Sequence, residues 1–76
     1  MTKLSDEQIR DIKMKYREGD VIELIEMAGE KLPSGLKGHV TSVDDIGQIH
    51  VDWDNGSTLA LIPGLDIFRG PEARER

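Results

Sequence analysis

After Gly19 the apolar residues stop recurring every three or four positions and begin to alternate, and this change of period constrains the fold more than any other feature of the chain. Ile22 and Leu24 flank Glu23, while Ile49, Val51 and Trp53 are separated by His50 and Asp52. Such alternation predicts half-buried strands over 21–27, 37–43, 48–53 and 57–62, with a short last strand over 67–69. The stretch AGEKLPSGL over 28–36 carries Gly, Pro and Ser and predicts a long loop. Asp44-Asp45-Ile46-Gly47 and Asp54-Asn55-Gly56 are the two tight turns of a meander. For the second, a three-residue loop with Gly56 left-handed pairs Trp53 with Ser57, Val51 with Leu59 and Ile49 with Leu61, which keeps one face apolar. A two-residue turn would mix the faces. Pro63-Gly64 ends the fourth strand, and a helical turn at 65–66 leads into the fifth. Closure of five short strands into a small barrel removes their exposed edges, so the expected class is mainly β with an N-terminal α-helix.

The segment before Gly19 is helical in pattern. Ser5-Asp6-Glu7-Gln8 has the form of a capping box, and Leu4 and Ile9 stand at the two positions of a hydrophobic staple. Ile9, Ile12 and Tyr16 share one face, Lys13, Lys15 and Arg17 load the last turn, and Gly19 supplies a left-handed stop. The expected helix covers 6–17 and is too short to persist without docking. The chain therefore divides into a helix over 1–19, a barrel over 20–69 and a flexible tail over 70–76.

At 76 residues there is room for one thin core, and with no cysteine neither disulfides nor thiolate metal sites can staple it. No apolar run is long enough to span a bilayer and the N-terminus lacks the apolar stretch of a signal peptide, which points to the cytoplasm. Charge is unevenly placed. Residues 1–19 hold four acids and five bases, a net of +1, whereas 20–69 hold nine acids against Lys31, Lys37 and Arg69, a net of −6. An acidic barrel repels phosphate backbones, so nucleic acid is an unfavourable partner for it. Ordinary solubility accounts for the same charge.

From Tyr16 to Phe68 the chain resembles a family of small uncharacterised bacterial proteins that is frequent in phages, conjugative elements and other mobile DNA and is known only as a domain of unknown function. The resemblance is carried by Tyr16 with Gly19, Gly35 with Gly38-His39-Val40, the block Val43-Asp44-Asp45-Ile46-Gly47-Gln48-Ile49-His50, Trp53-Asp54-Asn55-Gly56-Ser57, Leu59-Ala60-Leu61-Ile62-Pro63-Gly64, and Asp66 with Phe68. It implies an SH3-like barrel of the KOW and Tudor class and no particular activity. Arg17-Glu18 stands where the family often has proline, which implies a slightly longer helix here.

No catalytic constellation emerges. Asp44 and Asp45, adjacent acids in a solvated turn, are expected to titrate normally, and general acid–base chemistry needs a cleft and a positioned partner. His39, His50 and Asp52 are the one arrangement resembling a metal site, with His39 opposite Asp52 and His50 opposite Thr41, but no fourth ligand accompanies them. The Asp52-to-Gly56 stretch fails the spacing of a calcium loop, with Gly fifth and Pro63 at the twelfth position. Trp53 is expected in the core, because aromatic-lined peptide grooves need several rings and only 4% of this chain is aromatic. The basic side of the helix, Lys3, Arg10, Lys13, Lys15 and Arg17, is expected to fold back over the acidic barrel.

The expectation is therefore a non-enzymatic module that needs no cofactor or metal and acts through protein–protein contacts. Ile25, Met27, Ile46 and Ile62 are its candidate apolar contacts, and Asp44, Asp45, Asp52 and Asp54 its candidate charged ones. The alternative is an acidic inhibitor from a mobile element that occupies the nucleic-acid channel of a host defence enzyme. A KOW-like contact of the helix with nucleic acid is a weaker third.

Overall fold

The computed structural model describes residues 4–29 and 31–71. One helix, α1 (Asp6–Lys15), precedes four strands: β1 (Val21–Glu26), β2 (Lys37–Val43), β3 (Ile49–Trp53) and β4 (Ile67–Arg69). The strands form one antiparallel sheet in the order β3-β2-β1-β4. The expected fourth strand, over 57–62, does not form, so the sheet has four strands rather than five and is open rather than closed into the expected barrel.

The helix starts as its sequence dictates. The Ser5 hydroxyl accepts the Gln8 N–H at 3.1 Å, and the Gln8 side-chain oxygen accepts the Ser5 N–H at 2.8 Å. It ends at Lys15, two residues short of the expected Arg17, because a local turn competes for the backbone. The Asp20 carboxylate accepts the Arg17 N–H at 2.8 Å, while the Asp20 N–H donates to the Arg17 carbonyl at 3.0 Å. Gly19 is left-handed, but it lies beyond the cap at Tyr16 and donates its N–H to the Val40 carbonyl. No helical residue is fully buried, yet Leu4, Ile9 and Ile12 converge over Gly47 in the β2–β3 turn, and Tyr16 meets Phe68 of β4 with ring centroids 5.6 Å apart. The helix lies across the core side of the sheet between that turn and β4.

Alternation in the strands becomes burial. Ile22 and Leu24, Gly38 and Val40, and Ile49, Val51 and Trp53 all point inward. Leu61 joins them from outside any strand. At about 25 cal/mol per Å² of apolar surface, this small aliphatic cluster around one indole is the main favourable term available. Met27 belongs to it at 5% exposure, which removes it from the surface set proposed on sequence grounds.

Residues 57–62 show why the expected fourth strand fails. The hairpin turn is as expected: Gly56 is left-handed at φ 90°, and the Trp53 N–H donates to the Ser57 carbonyl at 2.9 Å. Ile49 and Leu61 also exchange both backbone hydrogen bonds, at 2.9 and 2.8 Å. Between these two points the ladder is interrupted, because the buried Trp53 indole N–H takes the Leu59 carbonyl at 2.9 Å. A buried indole needs an acceptor. Satisfying it removes the carbonyl that Val51 would have met, and what remains of the strand is a single bridge.

Candidate interaction surface

Two features adjoin the start of β3: the turn that leads into it, and a later segment tied to it by the Ile49–Leu61 bridge. The first is the turn joining β2 to β3, organised by Asp44. Its Oδ1 accepts the N–H groups of Ile46 (3.1 Å) and Gln48 (2.9 Å), and its Oδ2 lies 2.9 Å from His50 Nε2. Burial alone would raise the Asp44 pKa. The bonds from His50, Gln48 and Ile46 outweigh it and hold the carboxyl below its ordinary 3.8, a correction to the expectation that this acid titrates normally. Asp45 points the other way, and its Oδ1 meets Lys13 Nζ of α1 at 2.9 Å. One cation of the helix thus does fold back onto the acidic sheet, an exposed pair of small energetic value. Ile46 at the turn's tip is displayed to solvent by this frame.

The Asp44 geometry fixes a pH dependence. A carboxyl whose pKa is lower folded than unfolded stabilises the fold fully above its ordinary value and loses that contribution as pH falls through the folded one. Asp44→Asn should therefore melt below the wild type at pH 7, with the gap closing as pH drops below 3.8. A gap that stays constant down to complete acidification would show that Asp44 does not work as its contacts indicate.

The second feature is the path from Leu59 to Ile67. Asp66, only 7% exposed, anchors it from beneath: Oδ1 accepts the Ala28 N–H at 2.9 Å and Oδ2 the Ile62 N–H at 2.8 Å. The N–H groups of Leu65 and Asp66 both return to the Ile62 carbonyl, closing the turn expected at 65–66. With the backbone tied down, Ile62 (40% exposed), Leu65 (57%) and Ile67 (55%) face solvent. The Ile49–Leu61 bridge places Ile62 at the start of β3, close along the chain to the turn that carries Ile46 at 60% exposure. Ile46 and Ile62 were legible from sequence. Leu65 and Ile67 were not, although the signal was there, because an apolar residue straight after Pro-Gly and one in a three-residue edge strand have little core to reach.

The remaining candidates are scattered. His39 does stand opposite Asp52, with Nε2 3.7 Å from the carboxylate, and both are exposed. His50 stands opposite Ser42 rather than Thr41, because a bulge at Thr41 shifts the register, and its ring turns to Asp44 instead of joining His39. Among the described residues no three His, Asp or Glu side chains converge as a metal site would require. Asp54 is exposed and contributes its backbone N–H to the Lys37 carbonyl. Ile25 is half-buried beside the β1–β4 bulge. Lys3 and the tail over 72–76 lie outside the described residues. No described helix is long and apolar enough to cross a membrane.

Comparison with curated proteins finds no match, and comparison with solved structures finds none either. A family model does match, over residues 5–71, and so takes in the helix, the whole sheet and the Asp66-anchored path. The chain belongs to the family described as a domain of unknown function, DUF4314.

Proposed function

We propose that the protein is a non-enzymatic binding module that holds a partner protein through Ile46, Ile62, Leu65 and Ile67, within an acidic surround. The observation that carries this is the run of exposed large apolar side chains between Leu59 and Ile67, displayed on backbone that the buried Asp66 keeps in place. A 76-residue chain with a thin core gains more by burying such side chains than by exposing them, so their fixed display favours a binding role. The perturbed carboxylate, Asp44, spends its acceptors on its own turn, which supports a structural rather than a catalytic duty. The strand order and the Leu61 bridge beside β3 support an SH3-like descent, since they are what such a meander leaves when its last hairpin is broken. The family resemblance supports a cytoplasmic setting in phage or mobile-element biology.

Ile62→Asp and Ile46→Asp are expected to keep the melting temperature within a few degrees, because both side chains are solvent-exposed. They should also abolish recovery of the partner that the wild type captures from the native host. Undiminished recovery by both variants would defeat the proposal. The net −6 of residues 20–69 favours a second reading, competition with nucleic acid for a basic channel of a defence enzyme. In that case binding weakens steeply with salt and survives the apolar substitutions.

A further inference from the structure

The turn after β3 holds the one asparagine among the 76 residues, Asn55, and the residue that follows it is Gly56. Both are exposed, and a Cβ placed on Gly56 would meet nothing within 4 Å, so the Asn55 amide is open to water. No side chain on Gly56 shields its backbone nitrogen either.

Hydrogen bonds define the turn at rest. The Gly56 N–H donates to the Trp53 carbonyl at 2.9 Å, and the Asn55 side-chain oxygen accepts the Ser57 N–H at 3.0 Å. Outside them, the Trp53 N–H donates to the Ser57 carbonyl at 2.9 Å and closes the loop around a left-handed Gly56.

We infer that Asn55 is a site of spontaneous deamidation, restrained by the folded hairpin and released when the turn opens. The Gly56 nitrogen attacks Asn55 Cγ and gives up its proton. The N–Cγ bond forms, the Cγ–Nδ2 bond breaks, and the amide leaves with that proton as ammonia. One water then opens the five-membered imide at either carbonyl, so the net change is water taken up and ammonia lost. An imide nitrogen carries no hydrogen. The Gly56 bond to the Trp53 carbonyl therefore cannot survive ring closure, and each reaction event starts from a turn that has given it up.

The two products return different things to the fold. Water entering at the side-chain carbonyl gives aspartate, which restores the Gly56 N–H and an acceptor for Ser57 and adds one negative charge beside Asp54. Water entering at the backbone carbonyl gives isoaspartate, which runs the main chain through the former side chain and lengthens the loop by one carbon. The pairing of Trp53 with Ser57 depends on the length of that loop, so this product loosens the hairpin beside the Trp53 indole. The site shares no residue with the Ile46, Ile62, Leu65 and Ile67 surface, so either reading can fail without the other.

The test holds the 76-residue chain at mildly alkaline pH, once folded and once in guanidinium chloride, and follows Asn55 by peptide mass mapping. Conversion to aspartate and isoaspartate is expected in both states, at least about tenfold slower in the folded chain. Asn55→Asp, which stands for the aspartyl product, should keep the wild-type indole emission. The isoaspartyl form, separated by chromatography, should emit further to the red and melt lower. No conversion in guanidinium chloride, equal rates in the two states, or an isoaspartyl form that matches Asn55→Asp in emission and melting would each overturn the assignment.

Discussion

Replacing Asp66 with alanine should lower the stability of this domain by about 2–4 kcal/mol, which for a chain of this size moves the thermal midpoint by roughly 10–25 °C. The carboxylate is nearly fully buried and each oxygen closes one backbone N–H, that of Ala28 from the loop after β1 and that of Ile62 from the path before β4. Alanine removes both acceptors at once and leaves two donors without partners in a place water reaches poorly. Asp66→Asn should fall between wild type and Asp66→Ala, because the amide keeps one acceptor and turns a donor toward the other N–H. Hydrogen exchange separates this from general loosening: Ala28 and Ile62 should lose protection well before Val40 and Val51. If Asp66→Ala unfolds within 0.5 kcal/mol of wild type, the anchoring role is wrong. The same substitution should also reduce partner capture, although it alters none of the exposed apolar residues, because it frees the backbone that displays Ile62, Leu65 and Ile67.

Asp66 also marks the boundary of what could be read from the chain. Period and capping were legible because they are local. Ser5 with Gln8, the alternation at 21–26, 37–43 and 49–53, and the left-handed Gly56 each depend on residues a few positions apart, and each is found as expected. The strand expected over 57–62 was misjudged for a reason that is not local. Its alternation is sound, but the Trp53 indole needed an acceptor and took the Leu59 carbonyl out of the ladder. Met27 was misplaced for a related reason: one residue past β1 it turns inward to the core, which alternation alone cannot foresee. The Thr41 bulge moved His50 from Thr41 to Ser42, and with that it separated the two histidines that seemed able to share a metal. Of the interaction surface, sequence gave Ile46 and Ile62. The ion pair between Glu23 and Arg69 required the β1–β4 pairing, whose partners lie more than forty positions apart.

Gly38→Ala is expected to be as damaging as the loss of Asp66, by an opposite route. Gly38 sits in the interior of β2, opposite Trp53, where the indole lies against the bare backbone. A methyl group there would come within 2.7 Å of the Asp52 carbonyl oxygen, 2.7 Å of Val51 Cγ1 and 2.9 Å of Trp53 Cε3. None of the three is the loose end of a flexible side chain. One is backbone, and the other two are buried in a core with nowhere to retreat. Overpacking of this kind costs about 1–3 kcal/mol, and the backbone contact places this case at the upper end. The ordinary gain of replacing glycine in a strand, of order 0.5–1 kcal/mol, is too small to offset it. Because relief must come through Trp53, the single indole reports the outcome. Its fluorescence should shift to the red in the folded variant as the ring is pushed toward water, and the indole N–H that donates to Leu59 should exchange faster. Urea unfolding followed at the same wavelength gives the energy. Wild-type stability with unshifted emission would mean that the sheet relaxes around the added carbon, and that contact between the indole and the bare β2 backbone is not what sets the spacing of β2 and β3.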